Sequence, residues 1–128
     1  MLYISANISK YDEFKKVFQI MFQDKEFIDL SKVPSSDLIN ETDSIVNHHT
    51  NCCVFLGYLE PGWMLDSTHQ TRMRKLFRKF PVAAITNFVE SLPFSWKNEI
   101  DTFYIDEHLN KDGDSNSFNN GSSLQDKS

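Results

Sequence analysis

The sequence predicts an α/β domain built on a mainly parallel sheet with flanking helices. Two kinds of segment predict it. Residues 52–58 (Cys-Cys-Val-Phe-Leu-Gly-Tyr) and 82–86 (Val-Ala-Ala-Ile-Thr) are apolar without alternation, which suits strands covered on both faces. Phe14, Val17, Phe18 and Met21 fall at i, i+3, i+4 and i+7, and so do Met73, Leu76, Phe77 and Phe80. That spacing puts each set on one stripe of an amphipathic helix. Strands alternating with helices of this length favour parallel pairing, because each crossover needs a helix.

The elements follow in order. Residues 2–6 read as a buried strand. Ser9 can cap the first helix, with Asp12 near its positive N-terminal end. Residues 27–30 (Phe-Ile-Asp-Leu) form a short strand, and Pro34-Ser35-Ser36-Asp37 marks a helix start. A mostly polar helix over 37–47 carries Leu38, Ile45 and Val46. After the strand at 52–58, Pro61-Gly62 breaks the chain. Ser67 with Gln70 resembles a capping box for a helix over 67–80. The strand at 82–86 follows, then a loop with Pro93 and one helical turn, then a last strand over 101–106. From residue 107 to 128 the chain is rich in Asn, Ser, Asp and Gly and has almost nothing to bury, so a disordered polar tail is expected behind a domain spanning 1–106.

Length and composition narrow the classes. The chain has 128 residues, 40% hydrophobic, which suffices for one compact core. Net charge is −5 with a pI near 5.2, so any nucleic-acid contact must come from a local patch. Cys52 and Cys53 are adjacent and point to opposite faces of a strand, so a disulfide between them is strained. They read as reduced core residues of a cytosolic or nuclear protein. The start, Met1-Leu2-Tyr3-Ile4-Ser5, lacks the basic flank and apolar core of a signal peptide, and no apolar run is long enough for a membrane span. A soluble intracellular protein is expected.

No catalytic constellation emerges. A phosphate loop needs glycines whose backbone N–H groups cradle the anion. The four glycines, 57, 62, 113 and 121, do not form one, and no Gly-Lys-Ser or Gly-Lys-Thr occurs. His48, His49, Cys52, Cys53, His69 and His108 match no metal-ligand spacing, so no cofactor or metal is expected. Asp66, Ser67 and His69 are neighbours, but adjacency is not triad geometry, and a helix cap explains them. The helix at 67–80 carries Arg72, Arg74, Lys75, Arg78 and Lys79, a large share of the chain's 13 basic residues. They read either as a patch tracking a nucleic-acid backbone or as the solvated face of the helix. Trp63, Phe88, Phe94 and Trp96 follow the strands ending near residues 58 and 87, where open α/β sheets bind ligands. They can stack on bases, anchor a protein partner or close the core; partner anchoring is the expectation.

The order of these pieces resembles one family. Val82-Ala83-Ala84-Ile85-Thr86-Asn87-Phe88-Val89 is similar to the strand of RecA-type eukaryotic recombinases of the form Val-Ala-Val-Val-Ile-Thr-Asn-Gln-Val. The helix containing Gln70-Thr71-Arg72-Met73-Arg74-Lys75-Leu76 resembles the helix before it, and residues 52–58 take the place of the Walker B strand. Asp101-Thr102-Phe103-Tyr104-Ile105 resembles a later strand (Thr-Thr-Arg-Leu-Tyr-Leu), and Leu2-Tyr3-Ile4-Ser5 the segment Met-Tyr-Ile-Asp-Thr-Glu. The similarity covers residues 2–106. Against that pattern the chain begins after the family's phosphate loop. Leu56-Gly57-Tyr58 replaces the Walker B acid, Phe88 the phosphate-sensing Gln, and Ser5-Ala6 the acidic pair. The resemblance therefore implies a truncated RecA-like core lacking the phosphate loop, with no residues to support ATP hydrolysis.

Small relatives of this kind are subunits of the fungal Shu complex. The resemblance implies a nuclear, non-catalytic paralogue that docks to other RecA-like subunits and promotes recombinase assembly on single-stranded DNA in homologous recombination repair. In the family the loops at about 59–70 and 88–99 face DNA, which makes Arg72, Arg74 and Lys75, with Arg78, Lys79 and Lys97, the candidate DNA contacts. An Elongator-type RecA-like subunit in tRNA modification and a small α/β enzyme are the alternatives.

Overall fold

A computed structural model describes residues 1–87 and 89–101, together with the paired strands Ser122–Ser123 and Gln125–Asp126. It is α/β as expected. Four strands, β1 (Leu2–Ser5), β2 (Glu26–Asp29), β3 (Cys52–Tyr58) and β4 (Val82–Ile85), form one all-parallel sheet in the order β1-β4-β3-β2. Outside β1, Ile100 bridges Leu2 in parallel and Asp101 N–H donates to the Leu2 carbonyl at 2.8 Å. The remainder of the strand expected over 101–106, and the tail expected over 107–128, lie outside the described residues apart from the pairing near residue 124.

Strand alternation divides the core into two layers. Leu2, Ile4, Cys52, Val54, Leu56, Val82 and Ala84 belong to the larger cluster. It is completed by Leu38, Ile39 and Ile45 of α2 (Ser35–His48) and by Met73, Leu76 and Phe77 of α4 (Ser67–Lys79). Cys53, Phe55, Ala83 and Ile85 join Phe14 and Phe18 of α1 (Tyr11–Met21) in the smaller cluster on the other face. Both cysteines are free and buried, one in each layer. β3 is buried along its length except for Tyr58, which is why it reads as a continuous apolar run.

Helix entries differ from the sequence reading in which residue caps. Asn7, not Ser9, accepts the first N–H, from Ser9 at 3.1 Å, and opens a 3₁₀ turn at Ile8–Lys10 that leads into α1. Asp66, not Ser67, caps α4, accepting from the N–H groups of Thr68 and His69. Those two bonds hold the Asp66 carboxyl below its usual range. Gln70 is then free to donate to the Met64 carbonyl at 2.9 Å instead of closing a capping box. Pro61-Gly62 does not merely break the chain: Pro61–Met64 makes one helical turn, α3.

Gly57 sits at a register shift between β3 and β4 with φ of +76°. A Cβ there would lie 2.7 Å from Ser31 Cβ and 3.1 Å from Tyr11 Oη, so both the dihedral and the space demand glycine. Gly57→Ala should lower stability by roughly 1–3 kcal/mol through strain, read as a shift in the urea midpoint with an unchanged slope. Burial pushes the Cys52 thiol up from 9.0 to about 11. The folded chain therefore holds that proton more tightly than the unfolded one, and stability should fall as pH rises from about 9 towards about 11. At pH below that window the native chain should resist iodoacetamide and label only on unfolding.

Candidate functional site

All four strands are parallel, so their carboxyl ends share one edge of the sheet, where open α/β sheets bind their ligands. Two polar groups there, Ser5 and Asp29, turn back on the chain. Ser5 is buried, and its Oγ accepts from Asn7 N–H at 3.1 Å. Asp29 accepts from Ser31 N–H at 2.9 Å and pairs with Lys15 at 2.7 Å. Burial works against the ionised Asp29, yet these hydrogen bonds outweigh it and hold the carboxyl below its usual range. Among the described residues no group of three or more His, Cys, Asp or Glu side chains could hold a metal ion.

Beside exposed polar residues such as Asn7, Glu60, Asn87 and Glu90, this edge exposes a set of apolar side chains. Ile8 follows β1, Tyr58 ends β3, Leu65 lies between α3 and α4, and Phe94 follows β4; all are exposed, Leu65 by 78% and Phe94 by 90%. Gln70 links the two segments that carry the last two. Its side chain donates to the Met64 carbonyl, next to Leu65, while its own carbonyl accepts from Trp96 Nε1 at 2.9 Å, two residues past Phe94. The sequence reading missed Ile8, Tyr58 and Leu65. Leu65 carried a legible signal: it precedes the Asp66 cap, where an apolar residue ordinarily packs on the fourth helical position, and that position is Gln70.

The aromatic set separates. Phe94 is presented to solvent. Trp63 is half-buried, stacked on His69 with ring centroids 4.3 Å apart, and donates through Nε1 to the Ser35 carbonyl at 3.2 Å. Trp96 corrects the expectation of a partner anchor: it is 0% exposed and meets Phe77 edge-on at 4.9 Å. It closes the core between α4 and the 3₁₀ segment Phe94–Glu99. Phe88 lies outside the described residues.

Most of the basic helix is already engaged. Arg72 pairs with Asp43 of α2. Arg74 and Arg78 converge on Glu99, with Nε to carboxylate distances of 3.6 and 3.2 Å. Lys79 Nζ donates to the Val46 carbonyl at 2.6 Å. These residues tie α4 to its neighbours on both sides, so the patch expected over Arg72, Arg74, Arg78 and Lys79 doubles as a seam within the fold, with Arg78 and Lys79 still exposed. Lys75 and Lys97 are exposed and carry no ion pair among the described residues.

Trp96→Ala should cost about 3–5 kcal/mol, as a large core truncation does. Phe94→Ala should stay within about 0.5 kcal/mol, as surface changes do. Chemical denaturation of the two variants measures the difference between a core aromatic and a presented one.

No helix among the described residues is long and apolar enough to cross a membrane. The chain matches no family model, no curated protein and no solved structure.

Proposed function

We propose that this chain is a non-catalytic RecA-like paralogue subunit of the Shu type. It docks to other RecA-like subunits and promotes recombinase assembly on single-stranded DNA during homologous recombination repair in the nucleus. One observation carries the reading: the edge of the sheet where an α/β enzyme would hold its chemistry presents large apolar side chains, Leu65 and Phe94 foremost, to solvent. Leu65 and Phe94 stand out there from a rigid frame of hydrogen bonds, with Trp63 half-buried nearby. Exposed aromatic and aliphatic side chains on a preorganised surface are what protein interfaces use as anchors.

The reading assigns the chemistry to the partner and the positioning to this chain. Binding depends on removing Phe94 and Leu65 from water, worth roughly 1.5–3 kcal/mol for each side chain fully covered. Of the cations expected to meet DNA, Lys75, Lys79 and Lys97 make no ion pair among the described residues and remain available to a phosphate at the assembled complex.

Gentle affinity purification of the tagged chain, with co-purifying polypeptides identified by mass spectrometry, tests the proposal. Other RecA-like subunits should be recovered with the native chain and lost with Leu65→Asp combined with Phe94→Asp. Deleting the gene should sensitise cells to alkylating DNA damage. Recovery of tRNA-modification subunits, or of none, overturns the proposal.

A further inference from the structure

A second surface lies away from the apolar edge, where the last turns of α1 meet the start of β2. An open groove of about 320 Å³ runs there. Its apolar lining is Ile20, Phe22 and Phe27. Phe22 is fixed in place by Phe18, edge-on at 5.3 Å, and by Tyr3 at 5.6 Å. Phe27 packs on the smaller core cluster. Both rings are half-buried, so they present rigid aromatic surface without an ordering cost on binding.

The polar lining is Lys16, Gln19, Gln23 and Lys25, with no carboxylate among the lining residues, in a chain of net charge −5. Lys16 is exposed and makes no ion pair among the described residues, whereas its neighbour Lys15 is taken by Asp29. Lys25 donates to Asn51 Oδ1 at 2.9 Å and keeps further N–H donors. Gln19 and Gln23 are one helical turn apart and exposed, each offering a donor and an acceptor.

Half-buried aromatic rings, amides able to read a polar edge and ammonium groups outside any ion pair among the described residues together match a nucleotide. The carbonyl end of α1 disfavours an anion directly over the helix terminus, which leaves phosphates to the lysines and the base to the rings. The groove is open rather than enclosed, as a site for a passing strand needs to be. We infer that it takes up a nucleotide of single-stranded DNA, the base against Phe22 and Phe27 and the phosphates at Lys16 and Lys25. The choice of DNA rests on the function proposed above; the groove and its lining do not.

The test uses the full chain with a fluorescein-labelled oligodeoxythymidylate, followed by anisotropy across a salt series. Lys16→Glu should weaken binding at least about tenfold at low salt and reduce the slope of log affinity against log salt by about 0.7 for each lost phosphate contact on a single strand. Gln19→Glu, an exposed change that introduces a carboxylate into the lining, should weaken it in the same direction. Photo-crosslinks from 5-bromodeoxyuridine placed in the same oligonucleotide should fall within residues 16–27. No binding, unchanged binding by both variants, or crosslinks confined to Lys75 and Lys97 overturns the inference. Competition by free thymidine monophosphate at equal nucleotide concentration also overturns it, by assigning the groove to a small molecule. The purification experiment, repeated with Lys16→Glu, judges the proposed function separately, since that variant leaves Leu65 and Phe94 untouched.

Discussion

Burial of β3 on both faces is the constraint from which the rest of the architecture follows. Its residues alternate between two core layers, so neither face can be left to water without exposing Val54 and Leu56 on one side or Phe55 on the other. α1 covers one face; α2 and α4 cover the other. Parallel neighbours on both sides satisfy its backbone, and that arrangement requires helices as crossovers. The glycine near its end lets the ladder shift register, after which Tyr58 leaves the core.

α4 shows how one helix can be apolar core and charged seam at once. Met73, Leu76 and Phe77 pack inward, while Arg72 and Lys79 reach α2 and Arg74 and Arg78 reach Glu99. Most of these pairs are partly exposed, so each is worth little alone. Their effect is to fix α4 and the Phe94–Glu99 segment relative to one another, with Trp96 between them and its indole N–H held by Gln70. Phe94 is displayed because Trp96 is not.

The sheet and the helices were legible because their signals are local. A continuous apolar run at 52–58 and stripes at helical spacing declare burial within a few residues. Caps were less legible, since Asn7 and Asp66 sit within two residues of the serines expected to cap, and only backbone geometry decides which side chain meets the free N–H groups. Trp96 was illegible for a different reason: its partners, Gln70 and Phe77, lie far back in the chain. Charge was misread in the same way. Glu99 lies a full strand beyond the arginines it binds, so the run gives no sign of the two carboxylates, Asp43 and Glu99, that folding sets against Arg72, Arg74 and Arg78. The groove escaped notice because Phe27 meets the polar face of α1 only once β2 is in place.

The two borders of the sheet are treated differently, and this bears on how the chain resists joining to itself. Outside β1 the backbone is met by the chain's own residues 100 and 101. β2 is the terminal strand at the other border among the described residues. That strand is four residues long and carries an exposed carboxylate at each end, Glu26 and Asp29. Short, charged edge strands are a common guard against edge-to-edge aggregation. The short charged border thus discourages fibril-like stacking of identical chains.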